Sequence, residues 1–533
     1  MIRKLGAAVV AVAVIFGAGV AGVGAARAAS GDAPYNWGNT SLTEDQVVMV
    51  VNEPVSESNN YSILAVQPAA TGNTDTRGKW LWCGSMADKN CDPADATKDL
   101  LGVPIIPFCS ETKSEVCVES LELAPAGGEF KAAKFVGTAK GGLHIPADPA
   151  TNLIEGSSPS LFESDVVNQS GTGNYAVTVR LSENFNHQSG KFETSSIVAA
   201  VTPYKVQSGN YKAMVFDSTA KPEDAYKGSS TVPGCAYIED GSCGMRQDFT
   251  EGTRVRLTLN VPSTMGGWFS GRMKAPNISV SQVNPTVNKI TVESEPVVVP
   301  QLAYVKNKAD ISVEKTYNIG TGGFPGGGTV WAVNAGGPGA ENVADFVDLF
   351  RKPLNDTAVG TETLWNMMTV GGDQGNTCLA DKSKVLGIVT TNSMGYDTTA
   401  PKFNGGFLNY NVTGLHYLPG GTEPVQGTYD LVMRSETARC LYGFTKAPIS
   451  ATVSVVGGGD TSVATTVVNE KDGWLKMAAY GFTFSDKTLR VGISQAAAKA
   501  SVSKTATVTC TKGKLVKKVT GPAPKCPAGF KKK

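Results

Sequence analysis

Charge is scarce in this chain. Of its 533 residues only 18% are Asp, Glu, Lys or Arg, below the ~25% of an average soluble domain. The signs nearly cancel, with 48 Lys and Arg against 47 Asp and Glu. That balance excludes a nucleic-acid partner, which asks for a strongly basic face. Histidine is rarer still: His144, His187 and His416 are the only three, far apart in sequence. No C-x-x-C pair occurs, so the spacings that hold structural zinc or run thiol exchange are missing. Nor is there a G-x-S-x-G elbow, the usual seat of an α/β-hydrolase nucleophile. Beyond the first 29 residues no apolar run reaches the ~20 residues that cross a bilayer as a helix. What is present is 41% hydrophobic residues and 60 glycines. That is enough apolar mass for large cores, and at ~150 residues per domain the length implies three or four of them.

The first 29 residues have the shape of an export signal. Arg3 and Lys4 precede an apolar stretch from Leu5 to Val23, and Ala26-Arg27-Ala28 supplies a small-x-small cleavage pattern. No cysteine follows until Cys83, so no lipid attachment at the new N-terminus is expected. The mature chain is unevenly charged. From Thr511 to Lys533 there are eight Lys and no acid, which leaves the rest of the mature chain with 37 basic and 47 acidic residues. An acidic body with a basic tip is the informative description.

Ten cysteines in an exported chain imply a disulfide framework. Cys83/Cys91, Cys109/Cys117 and Cys235/Cys243 each enclose seven residues, and a repeated short spacing fits local bridges. Cys378 with Cys440 and Cys510 with Cys526 remain. Closing a nine-residue loop contributes about 2.6 kcal/mol, and closing the 63-residue one about 4.3 kcal/mol, on the chain-entropy model.

Strand patterns dominate the body. Tyr175, Val177, Val179 and Leu181 alternate with polar or small residues, as do Val255, Leu257, Leu259 and Val261. Later runs repeat the pattern at Tyr429/Leu431/Met433, Ile449/Ala451/Val453/Val455 and Leu489/Val491/Ile493. Polar alternates mean sheets with one wet face, which favours antiparallel pairing. Helices are expected at three places: a short one started by Asp92, Pro93 and Asp95, one over 340–352 with Val343, Phe346, Val347 and Phe350 on one stripe, and a turn at Leu364, Met367 and Met368. The glycine-rich run Gly320–Gly328 reads as a loop or linker. The expected fold is mainly β, a multidomain antiparallel β-sandwich architecture of immunoglobulin-like type with a small helix-bearing insertion. The segments are a signal peptide (1–29), a disulfide-containing β-rich domain (30–165), a β-sandwich (166–305), the helix-bearing insertion (306–375), a second sandwich (376–497), and a linker with a basic disulfide hairpin (498–533).

Few residues point to chemistry. Asn334-Ala335-Gly336-Gly337-Pro338-Gly339 resembles the oxyanion loop of exported α/β-hydrolase aminopeptidases, yet the nearest nucleophile, Ser393 in Asn392-Ser393-Met394-Gly395, lacks the first elbow glycine. The acids Asp88, Asp92, Asp95 and Asp99 lack the alternating spacing of a calcium loop. No metal site, no cofactor and no catalytic residue is therefore assigned. Trp80, Trp82, Trp268, Trp365 and Trp474 are candidates for a sugar-stacking platform, with core packing as the competing reading; Trp80 and Trp82, on one side of a strand next to Cys83, are the glycan-binding candidates. The tail offers Lys512, Lys514, Lys517, Lys518 and Lys525 to a polyanion such as an anionic cell-wall polymer. Val508, Leu515, Val516 and Val519 form its small apolar stripe, clamped by Cys510 and Cys526.

The tail, together with Ala438-Arg439-Cys440-Leu441-Tyr442-Gly443-Phe444, Asp472-Gly473-Trp474 and Gly481-Phe482-Thr483-Phe484, resembles large exported surface proteins of actinobacteria. The resemblance covers 376–533 best and the earlier cysteine pairs more loosely. It implies a secreted or cell-surface protein and transfers no catalytic residue. The expected role is structural or adhesive. A glycan-binding protein and a hydrolase with carboxylates on distant strands are the alternatives.

Overall fold

In the computed structural model the alternating runs form opposed sheets. The structure describes residues 33–34, 46–52, 61–68 and 81–88, then 91–307 apart from 96, 143, 222–223 and 228–233. It further describes 320–323, 329–334, 336–337, 347–348 and 350–445 apart from 372–374 and 398. The remainder is 449–495 apart from 458–459, 463–464 and 485–486, and 506–533 apart from 522. The chain divides into two compact units: 1–443 with 451–493, called the body below, and 444–450 with 494–533, called the tail.

The strand Arg254–Pro262 is the middle of a five-stranded sheet ordered Lys274–Asn284, Val287–Glu295, Arg254–Pro262, Cys117–Ala124, Lys131–Ala132. Its alternation is read out directly. Val255, Leu257, Leu259 and Val261 are buried and pack against Tyr175, Val177, Val179, Leu181, Ile197 and Val201 of a fifteen-stranded sheet. Each such aliphatic side chain contributes about 1.5–3 kcal/mol. The intervening Arg256 points outward, bridging Glu122 and Glu293, and its guanidinium lies 3.9 Å from the Phe130 ring centroid.

The large sheet runs Thr465–Lys471, Trp474–Phe482, Gly427–Arg434, Val385–Thr391, Gly267–Arg272, Asn366–Val370, Lys191–Ser208, Asn174–Asn186, Lys98–Val103, Ile63–Pro68, Leu81–Trp82. Two of its strands, Gly267–Arg272 and Val385–Thr391, are buried at every residue. The reason is that this part of the sheet is covered on both faces. Phe269, Ile388 and Val432 belong to the core shared with the five-stranded sheet. From the other face Arg272 reaches Tyr396, and Tyr429 meets Tyr410 with ring centroids 5.6 Å apart. Tyr396 and Tyr410 lie on Gly395–Asp397 and Phe407–Thr413, strands of a seven-stranded sheet that also holds Gly336–Gly337, Lys402–Asn404, Lys487–Gln495, Ile449–Gly457 and Asp460–Ser462. The arrangement is three β layers deep. Gly387 shows how closely they fit: a Cβ there would stand 2.5 Å from the Trp268 ring. That indole, fully buried, donates from Nε1 to the Leu379 carbonyl at 3.1 Å.

The fold is mainly β, as the alternation implies, and most pairs are antiparallel. Gly267–Arg272 with Val385–Thr391 and Gln46–Asn52 with Thr329–Asn334 are parallel pairs. Strand pairing crosses the boundaries drawn from sequence at 165, 305 and 375, whereas the described strands after 497 pair only among themselves. Ser160–Glu163 pairs with Asn174–Asn186 across 165, and Gly267–Arg272 pairs with both Asn366–Val370 and Val385–Thr391 across 305 and 375.

The helical expectations are corrected in two places. Asp92 forms a side-chain turn, its Oδ1 accepting from the Ala94 N–H at 2.9 Å, and no helix follows among the described residues. Leu364, Met367 and Met368 lie in the strands Gly360–Leu364 and Asn366–Val370, because ladders with Gly267–Arg272 and Lys191–Ser208 claim the segment's backbone. In the 340–352 stretch, residues 347–348 and 350–351 are helical and Val347 and Phe350 are buried, while Val343 and Phe346 lie outside the described residues. Within the glycine-rich run, Gly320–Gly323 is a strand paired with Thr329–Asn334. A helix not expected from sequence, Ser435–Tyr442, ends on Gly443 in left-handed backbone with φ 64°.

The ten cysteines form five disulfides: Cys83–Cys91, Cys109–Cys117, Cys235–Cys243, Cys378–Cys440 and Cys510–Cys526. Cys235–Cys243 closes the hairpin of Cys235–Glu239 and Ser242–Arg246. Cys378–Cys440 ties the loop before Val385–Thr391 to the helix. No helix among the described residues is long and apolar enough to cross a membrane.

Candidate functional site

The tail is a three-stranded sheet with Ala506–Lys512 in the centre, flanked by Leu515–Gly521 and Lys531–Lys532. Lys512 faces Leu515 across a two-residue turn. Gly513 opens that turn at φ 59°, a backbone that costs glycine nothing and matches the twist of a hairpin. Cys510 is fully buried, and its bridge to Cys526 pins the central strand.

Register distributes the lysines over both faces. Lys517 and Lys532 stand opposite Cys510 on its two sides, about 10 Å apart at ordinary strand spacing. Lys518 stands opposite Thr509 and Lys531 opposite Thr511 on the other face. Lys512 lies back over Gly529, whose added Cβ would sit 3.2 Å from its Nζ. All eight lysines from Lys512 to Lys533 are exposed, and residues 444–450 and 494–533 contain no Asp or Glu. Spacings near the ~8 Å screening length of physiological salt let these charges act together on a multivalent anion.

The expected apolar stripe of the tail is corrected. Val508 and Val519 are paired and half-buried, but Leu515 and Val516 are 66% and 64% exposed. Neighbours in a strand point to opposite faces, so these two cannot share one core. Lys531 and Lys532 add a third strand to the five candidate lysines. A Lys-Lys-Lys run gives no sign of being a strand.

The other candidates are dispersed or occupied. Trp80 lies outside the described residues. Trp82 is half-buried and pairs with Ala65. Trp365 is a core residue that donates to the Ser294 hydroxyl at 2.7 Å, and Trp474 is buried beneath the Arg434 guanidinium. Gly336 and Gly337 of the oxyanion-like motif pair with Tyr396 and Asp397, close in sequence to Ser393. That serine is fully buried, and its hydroxyl donates to the Gly395 carbonyl at 2.9 Å. His416 stacks edge-on against Tyr417. Asp95 accepts from Thr97 and pairs with Lys98 at 3.1 Å.

Of the buried carboxyls of the body, Glu183, Asp397 and Asp430, none singled out by the sequence, Glu183 and Asp430 are raised by burial. Glu183, at a bulge in Asn174–Asn186, accepts from the Ile154 N–H at 3.2 Å and the Thr194 hydroxyl at 3.3 Å. Burial pushes it up to about 7 against those bonds. Asp430 accepts from the Tyr480 hydroxyl at 2.6 Å and the Ala275 N–H at 3.1 Å, and burial likewise raises it to about 7. Raised carboxyls are a mark of catalytic acids when they line a cleft. These two hold strand to strand inside the sandwich.

No protein-family model matches this chain, and neither curated proteins nor solved structures supply a significant match.

Proposed function

We propose that this is an exported, disulfide-braced β scaffold of the cell surface with a structural or adhesive role, held in place by its basic tail. The observation that carries the reading is the tail sheet itself: eight exposed lysines displayed on both faces of a stapled module that contains no acid. The export signal at 1–29 and five disulfides support an extracytoplasmic location, where such bonds persist. Glu183 and Asp430, the raised carboxyls of the body, hold neighbouring segments together through hydrogen bonds, which supports a role in holding. The ligand is an anionic component of the envelope, bound through long-range attraction and counterion release rather than a shaped pocket.

Retention of the mature protein on isolated cell envelopes tests this. The protein should bind at low salt and be released near ~1 M salt, where the screening length falls to ~3 Å. A variant with Lys512, Lys514, Lys517 and Lys518 changed to Gln should fail to bind at any salt. Equal retention of the variant and the parent would overturn the proposal.

A further inference from the structure

Charge alone does not account for the tip of the tail hairpin. Leu515 and Val516 are the two most exposed large hydrophobic side chains among the described residues, at 66% and 64%. They sit immediately beyond the Gly513–Lys514 turn, where a soluble hairpin ordinarily carries polar residues. Being consecutive in a strand, they project from opposite faces, so the apolar feature is a two-sided tip rather than a flat patch. Lys517 and Lys518 follow, one on each face, with Lys531 and Lys532 on the third strand, across the central strand from them. At ~3.3 Å per residue these lysines lie roughly 7 Å behind the tip. Lys512 and Lys514, at the tip itself, have stems long enough to lift their ammonium groups back toward water.

A dissolved polyanion would be served by the lysines and gains nothing from Leu515 and Val516. An interface with an apolar interior beneath an anionic surface uses both. We infer that the hairpin tip inserts end-on into an anionic lipid bilayer, the aliphatic pair entering the acyl boundary while the lysines on both faces engage the phosphate headgroups. This rests on the reading of the tail as an anion-binding module and names its partner as a membrane surface. Two aliphatics and a few lysines give a reversible attachment, with each lysine near the surface strengthening binding about fivefold.

The experiment uses the full mature chain with three probes: vesicles of phosphatidylglycerol with phosphatidylcholine, vesicles of phosphatidylcholine alone, and soluble polyphosphate. The parent should bind the anionic vesicles and not the neutral ones. Leu515→Asn with Val516→Asn should weaken vesicle binding by about 10- to 100-fold and leave polyphosphate binding unchanged. Both side chains are exposed, so the variant keeps its fold, and an intact Cys510–Cys526 bridge by mass confirms it. A separate Val516→Trp variant should shift its fluorescence to the blue on anionic vesicles and be quenched by lipids brominated on the acyl chains. If the Asn pair binds vesicles as tightly as the parent, or the tryptophan stays in water, the tail is a charge-only polymer binder and this inference fails while the reading beneath it stands. If the parent binds neither vesicles nor polyphosphate, both fail.

Discussion

The body and the tail are built from the same kind of strand and stabilised by opposite means. In the body, strands such as Val385–Thr391 are buried at every residue between two further layers. Outward charges there meet partners of opposite sign, as where Arg256 meets Glu122 and Glu293 or Lys289 meets Glu119 at 2.7 Å, although acids outnumber bases over the body as a whole. Among its described residues the tail buries only Ile449 and Cys510, and its sheet carries lysines on every strand. A core of this depth tolerates disulfides as local trim. A module of about thirty residues with almost nothing inside depends on its bridge, and like charges within a screening length make it weaker still. The tail therefore gives up packing for display, which is what the proposed attachment role requires.

That contrast can be broken first at Trp268. Changing it to Ala removes a fully buried indole seated on Gly387 and its bond to the Leu379 carbonyl. The cost is about 3–5 kcal/mol. Thermal unfolding of the body should move down accordingly, with anion binding by the tail unchanged at low temperature. The complementary change is Cys510→Ser with Cys526→Ser. Opening this 17-residue loop removes about 3 kcal/mol, more than the tail's packing can replace. Hydrogen exchange over Ala506–Lys512 should then reach the rate of an unfolded chain while the body melts where it did before. A tail that stays protected without its bridge would show that packing, not the staple, holds it.

Local features were legible in the sequence and nonlocal ones were not. The alternation of Val255, Leu257, Leu259 and Val261 depends only on the two-residue period of a strand, and it predicts which side is buried. The eight-residue step between cysteines depends only on loop closure. By contrast, the three-layer arrangement joins Gly267–Arg272 to Val385–Thr391 across more than a hundred residues, and no local pattern announces such a pair. Leu364 and Met367, three apart, fit a helical stripe as well as they fit two strands. The structure resolves the ambiguity by placing Leu364 with Val297 and Val299 and Met367 in the main core, so tertiary partners override the local period. For the candidate site, the lysines and the cysteine bridge could be read directly. The exposure of Leu515 and Val516 needed the register, because it follows from which face each occupies.

The body and tail should also differ in how they respond to pH. Glu183 ordinarily titrates at 4.5 and is pushed to about 7 by burial. Between those values the folded protein holds a proton that the unfolded chain releases. Stability from this group therefore falls as pH rises through the interval and is flat above it. Glu183→Gln keeps the shape and can still accept from the Ile154 N–H, but has no charge to bury. Relative to the parent, the variant should be more stable by about 2 to 3 kcal/mol at pH 8 and nearly equal at pH 5, as read from denaturant midpoints at the two values. A benefit of the same size at both would mean that the carboxyl is not being forced to ionise in the core. The tail, with neither carboxylate side chain nor histidine, should bind polyphosphate or anionic vesicles equally at pH 5 and pH 8. The pH should therefore act on the body and salt on the proposed attachment, a separation that follows from placing every acid of the two units on one side.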